Sequence, residues 1–159
     1  MCATLLIASC ICDIFDGAVA RKIKRTDLEK KFGVQLDAIV DAISFGIAPT
    51  IIVFSTAGAA WYALLIYVFY VICAVIRLAY FNANAVPDTR ISSYRGLPVT
   101  NIAWILPTVL LFNSALASII TLAAVGILFI LNIKIPKPRM VYVLSPIMAV
   151  VLIIVWWCL

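Results

Sequence analysis

The sequence predicts an all-α fold, a polytopic bundle of membrane-spanning helices, and three observations lead there. Charged residues make up only 12% of the chain and hydrophobic ones 66%, against about 25% and about 45–50% in an ordinary soluble domain. The mean hydropathy is +1.19. The apolar residues also fall in long uncharged runs, the pattern of spans rather than of a soluble core. The 159 residues leave room for about six spans of roughly 20 residues each. One membrane-embedded domain over 1–159 is therefore expected, with no separate soluble domain.

Taken in order, the runs read as helices at about 2–19, 34–56, 60–82, 98–113, 115–132 and 140–158. The first two are separated by a charged connection, 22–32, and the second ends at STAGAA (55–60). From Leu97 to Asn132 there is no charged residue. As one helix that stretch would be about 54 Å long, against a hydrocarbon core of about 30 Å. It must fold back, and FNSALAS (112–118) offers the small, polar place to turn. Pro107 lies inside the fourth span and should kink it. The five cysteines, Cys2, Cys10, Cys12, Cys73 and Cys158, lie in or beside apolar runs with no CxxC pair and no histidine, so they read as packing residues.

The basic residues set the orientation. Arg21, Lys22, Lys24, Arg25, Lys30 and Lys31 fall between the first two spans, Arg90 and Arg95 between the third and fourth, and Lys134, Lys137 and Arg139 between the fifth and sixth. Alternate threading puts all of them on one face, which the positive-inside rule makes cytoplasmic. The same threading puts Met1 on the far side with nothing upstream to carry it there, so a further helix is expected before residue 1.

Against this apolar background, DIFDGAVARKIKRTDLEKKFGVQLDAIVD (13–41) stands apart. Asp13 and Asp16 are spaced i, i+3 near the end of the first span, and Asp37 and Asp41 i, i+4 near the start of the second, so each pair shares a helix face. If the two helices are neighbours, four carboxylates meet at the cytoplasmic interface. Four bare charges there would repel one another, and one or two divalent cations remove the difficulty. Oxygen-only ligands without His or Cys indicate Mg²⁺, Mn²⁺ or Ca²⁺ rather than zinc. Gly17 and Gly33 allow something to approach the backbone closely, and Arg21 can hold a phosphate bidentately. The competing account pairs the carboxylates with the basic connection. It is the better one for Asp27 and Glu29, which read as loop residues, while ionisable residues inside membrane helices are functional candidates by default.

These residues resemble the signature of the CDP-alcohol phosphatidyltransferases: D-x-x-D-G-x-x-A-R, a spacer, then G-x-x-x-D-x-x-x-D. Asp13, Asp16, Gly17, Ala20, Arg21, Gly33, Asp37 and Asp41 occupy all eight fixed positions. The spacer, 22–32, has eleven residues where the family usually has eight. DAISFGIAP (41–49), RLAYFN (77–82) and YRGLP (94–98) are similar to stretches of the integral-membrane phosphatidylserine synthase branch, with Tyr80 where that branch carries a second arginine. The resemblance spans roughly 5–100. Family members carry a further helix before the one that bears the first aspartate pair, which agrees with the helix expected before residue 1.

The resemblance implies a transferase. A CDP-linked lipid, CDP-diacylglycerol or CDP-archaeol, would dock its pyrophosphate on two Mg²⁺ or Mn²⁺ ions while its chains stay among the membrane lipids. L-serine would attack the lipid-side phosphorus and CMP would leave. Asp13, Asp16 and Asp37 would be metal ligands, and Asp41 would be a ligand or the catalytic base. Gly17, Ala20, Arg21 and Gly33 would hold nucleotide and phosphate. The serine carboxylate needs a cation: Arg77, interrupting an apolar helix, is the first candidate, with Arg90 and Arg95 in the loop and Ser44 and Asn82 as hydrogen-bonding groups. A homodimer is implied and no nucleic-acid partner. The rivals are the same chemistry on glycerol 3-phosphate or inositol phosphate, and, from another class, a divalent-cation or proton transporter. Against the transporter, the carboxylates cluster at one interface, whereas transport sites lie near the midplane.

Overall fold

A computed structural model describes residues 2–20, 23–83, 93–95, 97–131, 134–136, 151 and 154–155. The first helix, α1, is Cys2–Ala20. A second rod runs from 27 to 57 without a break in helicity and comprises α2 (Asp27–Asp41), a π turn (Ala42–Ile47) and α3 (Ala48–Ala57). It is followed by α4 (Trp61–Ala83), by a 3₁₀ turn (Val99–Asn101) leading into α5 (Ile102–Leu110), and by α6 (Ala115–Ile130). A short antiparallel ladder joins β1 (Ser93–Arg95) to β2 (Lys134–Pro136). The fold is thus helical, with five rods among the described residues rather than six. The sixth expected span, 140–158, lies almost wholly outside them.

Two rods, Asp27–Ala57 and Trp61–Ala83, are long and apolar enough to cross a membrane. The others have shorter apolar stretches. That of α1 stops at Asp13, and α5 ends one turn after Pro107, which lies buried inside it. The surface is what a lipid solvent allows. Along α4 alone, Leu64, Leu65, Val68, Phe69, Ile72, Val75 and Ile76 are exposed, an apolar face of the kind that marks a membrane or protein contact.

The second rod begins seven residues before the expected position. Thr26 caps it: its Oγ1 accepts from the Glu29 N–H (3.3 Å), and the Glu29 carboxylate accepts from the Thr26 N–H (2.7 Å). This T-x-x-E capping box recruits a stretch whose charge had marked it as a loop. Asp27 and Glu29 are therefore first-turn helical residues, with Asp27 in an exposed ion pair with Lys30 at 3.5 Å. At its far end the rod stops at Gly58, whose φ of +78° an L side chain rarely adopts. The hairpin before α6 turns in the same way on Asn113 (φ 48°), and Ser114 then caps α6, accepting from the Ala117 N–H at 3.3 Å.

The core lies where α4 packs along α6 and where the π turn, α3 and α5 close over them. Tyr70, Phe45, Ile102, Leu106, Leu122 and Val53 are fully buried there. Small residues, Ala63 and Ala74 on α4 and Ser118 and Gly126 on α6, let the backbones approach. A Cβ on Gly126 would come within 3.1 Å of the Phe69 ring.

Candidate active site

The two aspartate pairs arrive on different rods. Asp13 and Asp16 come from the last two turns of α1, and Asp37 and Asp41 from the last two turns of α2. Single carboxylate oxygens of Asp13, Asp16 and Asp37 all lie within 4.8 Å of one another. Asp13 is half-buried, whereas Asp16 and Asp37 are exposed, so the cluster opens outward from between the helices. Asp41 lies outside that set. Four residues of α-helix rise about 6 Å, which places it one turn beyond Asp37, half-buried. Of the four ligands expected, three converge and one stands behind them.

Among the described residues, none of these four carboxylates forms an ion pair with a lysine or arginine. The described cations of the basic connection, Lys24, Arg25, Lys30 and Lys31, thus do not neutralise them. Three carboxylates this close repel unless a cation sits among them, and three hard oxygen donors suit Mg²⁺ or Mn²⁺. The residues present fit the group that the sequence implied.

The remaining residues of the signature are placed less evenly. Gly17 and Ala20 lie on α1 just past the first pair, and Arg21 lies outside the described residues. Gly33 lies on α2 four residues before Asp37, and a Cβ there would come within 3.3 Å of an Arg25 guanidinium nitrogen. What approaches this glycine is a side chain from the lengthened spacer, a contact that the motif spacing does not encode.

Arg77 is buried at 7% exposure, and its Nε donates to the Leu97 carbonyl at 3.2 Å. Leu97 in turn donates its N–H to the Leu128 carbonyl at 3.3 Å. Arg77 therefore ties α4 to the segment that enters α5, and its guanidinium lies 6.0 Å from the Phe81 ring centroid. Ser44 is half-buried in the π turn, and Asn82 is half-buried in the last turn of α4. Arg95 belongs to β1, and Arg90 lies outside the described residues.

The π turn directly after Asp41 was not foreseen, although half of its cause is visible in the sequence. Pro49 has no N–H for the Phe45 carbonyl four residues back, and its ring crowds that carbonyl. The turn widens, so that the Ala48 N–H bonds to the Ile43 carbonyl five residues back. The Tyr70 hydroxyl, wholly buried, donates at 2.7 Å to the Phe45 carbonyl, for which Pro49 offers no N–H.

The family model for CDP-alcohol phosphatidyltransferase matches residues 1–157. The chain is 33% identical over 136 residues to the archaetidylserine synthase of Methanothermobacter thermautotrophicus, covering 84% of this chain and 57% of that protein. It is 33% identical over 142 residues to the CDP-diacylglycerol–serine O-phosphatidyltransferase of Methanocaldococcus jannaschii, covering 88% of this chain and 66% of that protein. The enzyme of the same name from Saccharomyces cerevisiae is 35% identical over 109 residues, 64% of this chain and 38% of its own. The chain thus spans less than two thirds of the length of the relatives it matches.

Proposed function

The chain belongs to the CDP-alcohol phosphatidyltransferase family, and on that premise we propose that it transfers a phosphatidyl or archaetidyl group from a CDP-linked lipid to the hydroxyl of L-serine, releasing CMP. The observation that carries this reading is the convergence of Asp13, Asp16 and Asp37 within 4.8 Å, with Asp41 one turn beyond. The names of its relatives, which specify serine as acceptor, support the choice of alcohol.

Phosphoryl transfer is mostly positioning and charge neutralisation. Asp13, Asp16 and Asp37 would hold Mg²⁺ or Mn²⁺, which when bound would neutralise the pyrophosphate of the donor. Asp41, set back from that cluster, takes the hydroxyl proton of serine as the serine oxygen bonds to the lipid-side phosphorus. The bond from that phosphorus to the bridging oxygen breaks, and CMP leaves with it. Gly17, Ala20, Arg21 and Gly33 cradle the nucleotide and phosphates. Arg77, with Ser44, Asn82 and Arg95, receives the serine carboxylate. The protein is an integral membrane protein, a single catalytic domain acting as a homodimer, and its site faces the cytoplasm, where serine is dissolved.

The test is transfer of labelled serine into lipid by membranes containing the chain and Mn²⁺. CDP-diacylglycerol and CDP-archaeol are supplied in parallel, with glycerol 3-phosphate as a competing acceptor. Serine-labelled lipid that is lost in Asp41→Asn is the expected result. Label entering lipid from glycerol 3-phosphate alone would move the acceptor, and no CMP release with either alcohol would overturn the reading.

A further inference from the structure

Tyr70 is the one wholly buried hydroxyl on α4, and it is spent on the rod that carries half of the carboxylate cluster. The contact spans 25 residues of sequence. One turn further along α4, the Ala74 Cβ would lie 3.5 Å from a Cβ on Gly46, so the Tyr70–Ala74 face of α4 grips the π turn at two adjacent residues. A second hydroxyl, that of Thr50, donates to the Ile47 carbonyl at 2.6 Å. The turn is therefore locked by side chains rather than left as a strained irregularity.

Its effect is rotational. A π turn holds about one residue more than an α turn, so it rotates everything before it by roughly 100° about the axis relative to everything after it. After it stand Pro49, Thr50 and Val53, all buried in the core. Before it stand Asp37 and Asp41. With a plain α-helix through 42–47 and the buried half kept in place, the two carboxylates would swing away from Asp13 and Asp16.

We infer that Tyr70 is a positioning residue for the carboxylate cluster: by bonding to the carbonyl for which Pro49 offers no N–H, it holds the π turn that aims Asp37 and Asp41. The inference deepens the transferase reading and rests on it for its kinetic arm, but its metal-binding arm stands apart from that reading. Tyr70→Phe removes the hydroxyl and keeps the ring, which packs on Phe129 at 5.6 Å. Pro49→Ala restores an N–H that can take the Phe45 carbonyl in an ordinary α turn.

The experiment uses the full chain in lipid nanodiscs and follows thermal stability, Mn²⁺ binding by electron paramagnetic resonance, and kcat and KM for CDP-diacylglycerol. In Tyr70→Phe, kcat falls about ten- to a hundredfold, the range for an ångström-scale misplacement of reacting groups. Mn²⁺ binding weakens with it, and KM changes little. In the double variant Tyr70→Phe with Pro49→Ala, the carbonyl is paired again, so stability returns towards wild type while turnover and Mn²⁺ affinity stay low. Wild-type kcat and Mn²⁺ affinity in Tyr70→Phe would overturn the inference. So would recovery of activity together with stability in the double variant, because Tyr70 would then only satisfy a buried carbonyl. A wild-type chain that binds Mn²⁺ but transfers nothing would count against the transferase reading, and the Mn²⁺ titration of Tyr70→Phe would still decide the role of Tyr70.

Discussion

The two halves of the rod from 27 to 57 live under opposite constraints. Its first half, α2, has no fully buried residue and carries Asp37 and Asp41. Its second half, the π turn and α3, buries Phe45, Gly46, Pro49, Thr50 and Val53 against the rest of the bundle. One continuous helix thus has an anchored end and a chemical end. The chemical end has few contacts of its own to set its bearing, so the site inherits its geometry from packing two turns away. Like-charged groups held close together also cost stability, the usual trade at an active site. Changes in the two halves should therefore separate activity from stability.

The largest separation is expected at the cluster itself. Asp37→Asn, or Asp13→Asn, should abolish both serine transfer and Mn²⁺ retention. The melting temperature should hold or rise, since a repelling charge is gone. A parallel fall in stability would break the contrast between the halves. Asp41→Asn comes next: turnover should drop by about 10²–10⁴, the usual contribution of a positioned base, while Mn²⁺ still binds, because Asp41 lies outside the 4.8 Å set. Loss of Mn²⁺ binding in that variant would make Asp41 a ligand instead.

The anchored half predicts the reverse pattern. Leu122, fully buried on α6, should cost about 2–5 kcal/mol when replaced by alanine, read as a lower melting temperature in detergent, with Mn²⁺ affinity little changed below the melt. Thr26→Ala removes the capping box and should cost about 1 kcal/mol, visible as faster hydrogen exchange confined to the first turn of α2. The smallest stability change is expected for Gly33→Ala. The neighbouring Arg25 guanidinium is the mobile end of a side chain, and alanine favours the helix by up to about 1 kcal/mol. Any loss of transfer in that variant therefore reports on the nucleotide and not on the fold.

What could be read from the chain divides along the same line. The carboxylates were legible because i, i+3 and i, i+4 spacings fix a face whatever the tertiary fold does. Whether the two faces meet depends on how the rods pack, which spacing does not encode. The turns at Gly58 and Asn113 were visible as small, polar breaks. The start of α2 was signalled by Thr26 and Glu29 but hidden under lysines that suggested a solvated loop. Arg77 stood out as a charge in an apolar helix, yet its tie to the Leu97 carbonyl joins groups 20 residues apart. The π turn was half legible: Pro49 offers no N–H to the Phe45 carbonyl, and only folding shows that a tyrosine on another helix donates to it.

The length of that rod also acts as a depth gauge. With Ala57 at one edge of a hydrocarbon slab about 30 Å thick, about 20 residues at 1.5 Å each bring the other edge to Asp37. The stretch from Thr26 to Leu36 then stands among the headgroups, with Leu28 and Phe32 exposed on it. On the proposed reading, the carboxylates lie at the level where lipid phosphates already reside. The donor can reach them by drifting sideways in its own leaflet, with its chains never leaving oil, and the soluble alcohol has only to meet it at the shoreline.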